Sequence, residues 1–458
     1  MLRYIQGGFI ISKLSNKFFR FVIPSIGAMV VFSLYSMVDG FFVAKYVGGN
    51  ALSAVNISMP FINLVFALGI IAAVGSQTLC GVFIGKKDYL KANKIFSFNI
   101  MTVSILSLIL TFLFYIFREK IAVFLGATGE LFPYVMDYFG NIIYFVPFFM
   151  ISYNMEILVK VDGFPRLAMK TVLTCGISNV ALDYLLVGVL GWGIKGAAIA
   201  TGISQLISTI VYLIHFTVGK SNLEFVEVKF SFETLKNIFV LGIGDFVSEV
   251  GVGVIIFLYN LFIIKFLGTD EIATFTVISY LNQLVLMVFS GITQGIQPLL
   301  SYYYGQKDFK SCKKIFKKAL VMVMATAIIF FLIFHLYSNN IFGLFLGEHP
   351  EHISYSVTAM MKFTYSFFIA GFNVLIAAIC VSFIMPKYSI LINVFRSILF
   401  IALALFVTTK INPEYIWFSS LISEALTFVF AIIFYLSLKA RNRRIAKKLQ
   451  KQKQPGQI

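Results

Sequence analysis

The chain has 458 residues, of which 59% are hydrophobic and only 12% charged; soluble domains carry about twice that share of charge. The net charge of +17 could suit nucleic acid, but 29 of the 37 Lys and Arg fall on one side of a twelve-span topology, seven on the other and Arg396 within a span. That bias is the positive-inside pattern of a polytopic helical membrane protein with both ends cytoplasmic, and it removes nucleic acid as a partner; the strand alternation of an outer-membrane barrel is absent.

Residues 1–20 read as a basic leader with Lys13, Lys17 and Arg20 and no removable signal peptide. Span 1 covers about 21–44, with Pro24 near its inner end and Asp39 near its outer end. A proline removes one helix hydrogen bond and marks a place to bend. Spans 2 and 3 cover about 52–80 and 95–117, and span 4, about 132–157, holds Asn154 and Glu156. After the turn Gly163-Phe164-Pro165 come span 5, about 168–188, and span 6, about 194–218. A polar linker over 219–237 has the mixed composition of an amphipathic piece at the inner interface. Span 7, about 238–264, carries Asp245, Glu249 and Asn260; spans 8 to 12 cover about 273–300, 316–338, 355–382, 388–409 and 414–438. A basic tail, 439–458, closes the chain. Each span is long enough to cross a hydrocarbon layer about 30 Å thick.

The halves repeat. Gly85-Lys86-Lys87-Asp88-Tyr89 matches Gly305-Gln306-Lys307-Asp308-Phe309, and Gly48, Gly75 and Gln77 match Gly268, Gly295 and Gln297, all at one unbroken offset. Six spans per half is an even number, so both halves enter the membrane in the same sense, related by an axis along the membrane normal. The expected fold is all-α: twelve transmembrane helices in two six-helix lobes, 21–218 and 238–438, around a cavity.

The chemistry gathers in the first lobe. Asn179 and Asp183 share one face of span 5, Thr201 lies on span 6, and Asp39 on span 1. A carboxylate at mid-membrane costs roughly 2.5–3.5 kcal/mol, so something uses or neutralises it. Converging acids and amides in a wet pocket hold a proton or a sodium ion; the plain alternative is a set of hydrogen bonds stitching spans 1, 5 and 6. Glu156 precedes Lys160 by four residues, which suits an ordinary helix ion pair as well as a cation-attracting acid of the cavity. Asp245 and Glu249, also four apart, carry like charge and face either the cavity or the wet inner mouth. Asn260, Gln283, Gln297 and Asn373 are polar points of the second lobe, candidates for the cavity, although polar groups there more often bond helix to helix. The acids are expected mainly in the first half, because Asp39 pairs with Tyr259 and Asp183 with Ala404 across the repeat.

Cys80, Cys175, Cys312 and Cys380 form no disulfide framework, and His349 with His352 suits a solvated loop better than a metal site. There is no phosphate-binding glycine loop, metal motif or nucleophile elbow, which argues against an enzyme and against transport driven by ATP. No cofactor is expected beyond a coupling ion.

Several motifs together resemble the multidrug and toxic compound extrusion (MATE) transporters of prokaryotes over nearly the whole chain: Val38-Asp39-Gly40 through Gly48, Ala51-Leu52-Ser53-Ala54, Gly85 to Asp88, Gly163-Phe164-Pro165, Asn179 to Asp183, Gly196 to Thr201, and Gly295-Ile296-Gln297-Pro298. The resemblance implies a V-shaped cavity between the lobes and export of amphipathic, mostly cationic compounds in exchange for H+ or Na+, by a monomer in the cell membrane. It assigns ion coupling to Asp39 and Asp183, with Asn179 and Thr201 beside them. Tyr35, Asn154 and Glu156 match cavity positions, and Pro24 a proline where span 1 bends. Two departures argue against a coupling site in the second lobe. The family's acid on the tenth span is missing, with Asn373 the nearest polar group, and the turn Met385-Pro386-Lys387 lacks a glycine. The alternative is a flippase for lipid-linked saccharides, which would want an arginine-lined cavity; Arg396 is the only arginine within a span.

Overall fold

The computed structural model describes residues 14–346 and 350–434. The first part of the basic leader, the basic tail, His349 and the end of span 12 past Phe434 lie outside the described residues. Eleven helices are long and apolar enough to cross a membrane, and a bent pair makes twelve. They are α1 (Leu14–Tyr46), α2 (Gly49–Gly85), α3 (Tyr89–Phe124), α4 (Leu131–Val161), α5 (Pro165–Val189), α6 (Gly193–Thr217), α7 (Phe232–Phe266), α8 (Glu271–Gly305), α9 (Phe309–Leu346), α10a and α10b (Pro350–Thr364 and Phe367–Ser382), α11 (Pro386–Ile411) and α12 (Pro413–Phe434).

The helices overrun the spans read from hydropathy. α2 has 37 residues and α8 has 35, against the 20 or so that a bilayer needs. Backbone hydrogen bonding continues past the hydrocarbon into polar turns, so α1 is already helical at Leu14 and α7 begins at Phe232. Span 10 is also broken: α10a and α10b meet at a 40° bend. The matching place in the first half, Ile143–Phe145, is a 3₁₀ turn inside α4. At Pro24, by contrast, α1 runs on without interruption, so the bend expected there is not a break in the helix.

The repeat is visible in the turns. Lys87 and Lys307 both take left-handed backbone, φ 63° and 60°, and Gly48 and Gly268 sit at 112° and 109°. Asp88 accepts the amide of Lys91, and Asp308 that of Ser311. The Lys91 ammonium and the Ser311 hydroxyl, with those amides, hold both carboxyls below the usual carboxylate range. The turn without a glycine folds like its twin: Ile384, φ 55°, takes the left-handed place of Gly163, φ 99°, and Met385 donates to Cys380 as Phe164 donates to Val159. A β-branched residue is strained there.

The turns at 86–88, 162–164, 218–231, 306–308 and 383–385 share one end of the bundle, here the basic face. The lobes meet in the half of the membrane next to it. A methyl group on Gly85 would lie 2.1 Å from Tyr302 O, and one on Gly305 would lie 2.2 Å from Val82 O. Gly75 and Gly295 are the other symmetric pair, pressed against Ile238 of α7 and Val22 of α1. Only a hydrogen fits at these crossings. From there α1 and α7 diverge. Phe18, Phe21 and Val22 belong to the second lobe's core while Val43 belongs to the first; Ile238 belongs to the first while Tyr259 and Ile263 belong to the second. The two helices are struts shared by both lobes, and the V opens toward the opposite face.

The linker is an irregular strap where an amphipathic piece was expected. Residues 218–231 form no helix. Buried Asp162 accepts the amides of Asn222 (2.7 Å) and Leu223 (3.1 Å) and the Ser221 hydroxyl, and faces His215 Nε2 at 2.8 Å. Asn93 and Ser97 take the amides of Glu224 and Val226. The strap therefore lies on the first lobe, its backbone groups satisfied by side chains in place of a ladder.

Candidate ion-coupling site and central cavity

Three helices of the first lobe bring the predicted polar set together. α5 carries Asn179 and Asp183 on one face, both fully buried. It then loosens into a π-helical turn, Tyr184–Val189, a distortion often found at functional sites. α1 packs along α5 and puts Asp39, 7% exposed, within hydrogen-bonding reach of Asp183. α6 adds Thr201, whose hydroxyl accepts the Asn179 amide nitrogen at 3.3 Å.

That last bond decides the character of the pocket. With its Nδ2 turned to Thr201, Asn179 presents its oxygen. Asn179 Oδ1, Asp39 Oδ1 and both carboxyl oxygens of Asp183 are buried and have no donor among the described residues. Buried polar atoms are nearly always satisfied, and four orphans of one kind at one place form an acceptor-only nest. Two facing carboxylates repel unless a proton or small cation lies between them, and oxygen-only ligands suit a hard cation. No lysine, arginine or histidine pairs with either acid among the described residues. Tyr35 packs on Gly176 of α5, and Tyr138 of α4 lies close to both acids.

The remaining candidates separate. Asn154 is not a cavity residue: it donates to Gly69 O and Met150 O and accepts from Asn99, which uses its groups to join α2, α3 and α4. Glu156 forms the ion pair, 2.8 Å from the Lys160 ammonium. Glu249 is exposed and Asp245 half-buried on α7, and Tyr153 of the first lobe lies near Glu156, Glu249 and Asp245. Acids of both lobes thus act electrostatically on one tyrosine of the first. Gln283 is exposed on α8, Gln297 is buried, and Asn260 is half-buried with its oxygen unpartnered.

Asn373 leads to a group that sequence reading missed. Its Nδ2 donates to Glu424 Oε2 at 2.7 Å, and Arg396 Nε donates to Glu424 Oε1 at 2.5 Å. The second lobe therefore does hold a buried acid, on α12, and it is locked to a basic partner. The expectation that buried acids gather in the first lobe is corrected by Glu424, which lies buried in the second. Glu424 was legible by the same signal as Asp183, a lone acid inside an apolar run.

The comparisons bear on the family and the fold. A family model described as MatE matches residues 24–185 and again 246–406, once in each half. The chain belongs to the MatE family. It is a transporter and not an enzyme. Among curated MatE-like relatives, the multidrug export protein MepA of Staphylococcus haemolyticus is 28% identical over 323 residues, 70% of each chain. MepA of Staphylococcus aureus is 22% identical over 434 residues, 94% of this chain and 95% of its own. A solved structure of a multidrug resistance MATE family transporter in the outward-facing conformation superposes with a TM-score of 0.87 at 18% identity, over 96% of this chain and 98% of that one. This MatE chain shares its twelve-helix fold.

Proposed function

We propose that the protein exports amphipathic, mostly cationic compounds from the cell in exchange for H+ or Na+, by alternating access. The observation that carries the coupling role is the acceptor-only nest of Asp39, Asn179 and Asp183, with Thr201 setting the amide's orientation. The multidrug export relatives favour a small-molecule drug as cargo, and the acids Glu156, Asp245 and Glu249, all of which act on Tyr153, favour a cation. A coupling ion entering the nest satisfies its orphaned oxygens, shifts α1 against α5 and so alters the cavity wall that α1 shares with both lobes. A membrane potential of 100 mV supplies about 2.3 kcal/mol per charge, enough for a concentration ratio of about fortyfold. The basic face is cytoplasmic on this reading, which puts both ends of the described chain inside and has this conformation open outward.

The flippase alternative loses its main support, because the guanidinium of Arg396 already serves Glu424.

The test is ethidium efflux from cells that express the protein. Asp39→Asn and Asp183→Asn are each expected to reduce efflux to the level of cells without the protein, at unchanged expression. Efflux at the wild-type rate in both variants would remove the coupling assignment.

A further inference from the structure

The ion pair Glu156–Lys160 has a third member. Lys160 is only 1% exposed, and its ammonium donates to Glu156 Oε1 at 2.8 Å and to Gln294 Oε1 at 2.9 Å. Glu156 and Lys160 belong to α4 of the first lobe, Gln294 to α8 of the second. Gln294 sits between Gly291 and Gly295, the two glycines at which α8 backs onto Ile26 and Val22 of α1. Its own amide nitrogen reaches Met29 Sδ of α1 at 3.8 Å. One buried ammonium thus ties α4 to α8, and through Gln294 to α1, at the closed end of the V.

Resting on the cationic reading above, we propose that Lys160 is a tethered counter-cation: it holds the place of the drug's positive charge at Glu156 and, through Gln294, latches the lobes together while the site is empty. The physical argument concerns what a buried ion pair permits. Removing one partner leaves an uncompensated buried charge, so Lys160 stays on Glu156 until another cation replaces it. An organic cation arriving at Glu156 does so. The ammonium, repelled by the newcomer, then leaves the carboxylate and loses its fixed aim at Gln294. Occupancy of the drug site and release of the inter-lobe bond become one event, and a neutral compound triggers neither. The pair also fixes selectivity, because Glu156 is neutralised unless the incoming group outcompetes an amine held beside it. Lys160 is a positioning residue on this account.

The experiment uses the full chain, purified and placed in lipid nanodiscs, with two readouts. Spin labels at Lys86 and Gln306, both exposed on the basic face of different lobes, report the lobe distance without any drug; ethidium binding is measured separately. In Lys160→Gln, ethidium is expected to bind at least tenfold more tightly. Gln294→Leu keeps the ion pair and removes the bond between lobes together with the weak contact to Met29, so its population with separated labels is expected to rise at least tenfold with ethidium affinity little changed. Ethidium added to the wild type should produce the same separation, and Lys160→Arg should restore wild-type behaviour. Unchanged label distances in Gln294→Leu overturn the latch; unchanged ethidium affinity in Lys160→Gln overturns the counter-cation. If Lys160→Gln does not fold, Glu156→Gln takes its place, with ethidium expected at least tenfold weaker and unchanged affinity again overturning the claim. A wild type that binds no ethidium at all sinks the cationic reading itself, while the drug-free distances still decide the latch.

Discussion

At the scale of single residues, the two lobes treat their buried acids in opposite ways. Among the described residues Asp39 and Asp183 have no basic partner and several orphaned oxygens; Glu424 has Arg396 and Asn373. The first arrangement is the proposed cation site, and the second already contains a cation, Arg396. Replacing Glu424 by Gln leaves Arg396 buried and unpaired, a loss of about 3–5 kcal/mol, and a fall in thermal unfolding temperature checks it. Replacing Arg396 and Glu424 together by Met should recover most of that stability, since a buried ion pair is often no better than apolar packing of similar volume. Sequence patterning picked out Asp39, Asn179 and Asp183 because each breaks an apolar run, and their spacing put two on one face. It could not choose between Glu156 as a helix ion pair and as a cavity acid, because that depends on what approaches from α8. Asn154 looked like a cavity residue until Gly69, Met150 and Asn99 were seen to occupy all its groups.

At the scale of elements, turns carry more information than spans. Repeated motifs at one offset foretold matching turns, and the left-handed Lys87 and Lys307 are that correspondence in backbone form. The exception, Ile384, takes the position without a glycine. Left-handed backbone costs a side-chain-bearing residue about 1–2 kcal/mol, and glycine's extra unfolded freedom returns roughly 0.5–1 kcal/mol of that. Ile384→Gly should therefore stabilise by about 1 kcal/mol or less, read as a small rise in unfolding temperature. The glycine crossings predict the reverse. Gly85→Ala places a methyl group 2.1 Å from Tyr302 O and must part the lobes at the basic face; a twin effect is expected of Gly305→Ala. Both variants should lose ethidium efflux by at least tenfold while a cysteine pair spanning that face no longer cross-links. Helix ends were the least legible feature: hydropathy marks the lipid-facing part, and α1 and α7 continue a turn or two beyond it. The strap over 218–231 was hidden for a related reason, since Asp162, which binds it, is some 60 residues away in sequence.

At the scale of the whole molecule, α1 and α7 belong to one lobe's core at one end and to the other's at the far end. On the proposed mechanism, a change at Asp39, near the outer end of α1, reaches Phe18, Phe21 and Val22 inside the second lobe. The proposed rocking about the glycine crossings needs such shared struts, and the six-plus-six repeat supplies two of them at once. The account's central claim is that ion occupancy of the nest between α1 and α5 drives this motion. Its most direct test is ethidium accumulation in vesicles reconstituted with the purified protein, under an imposed gradient of protons and then of sodium. The wild type should concentrate the dye under at least one gradient, and Asp39→Asn and Asp183→Asn should only let it equilibrate. Gradient-driven accumulation at the wild-type level in both variants would contradict the account.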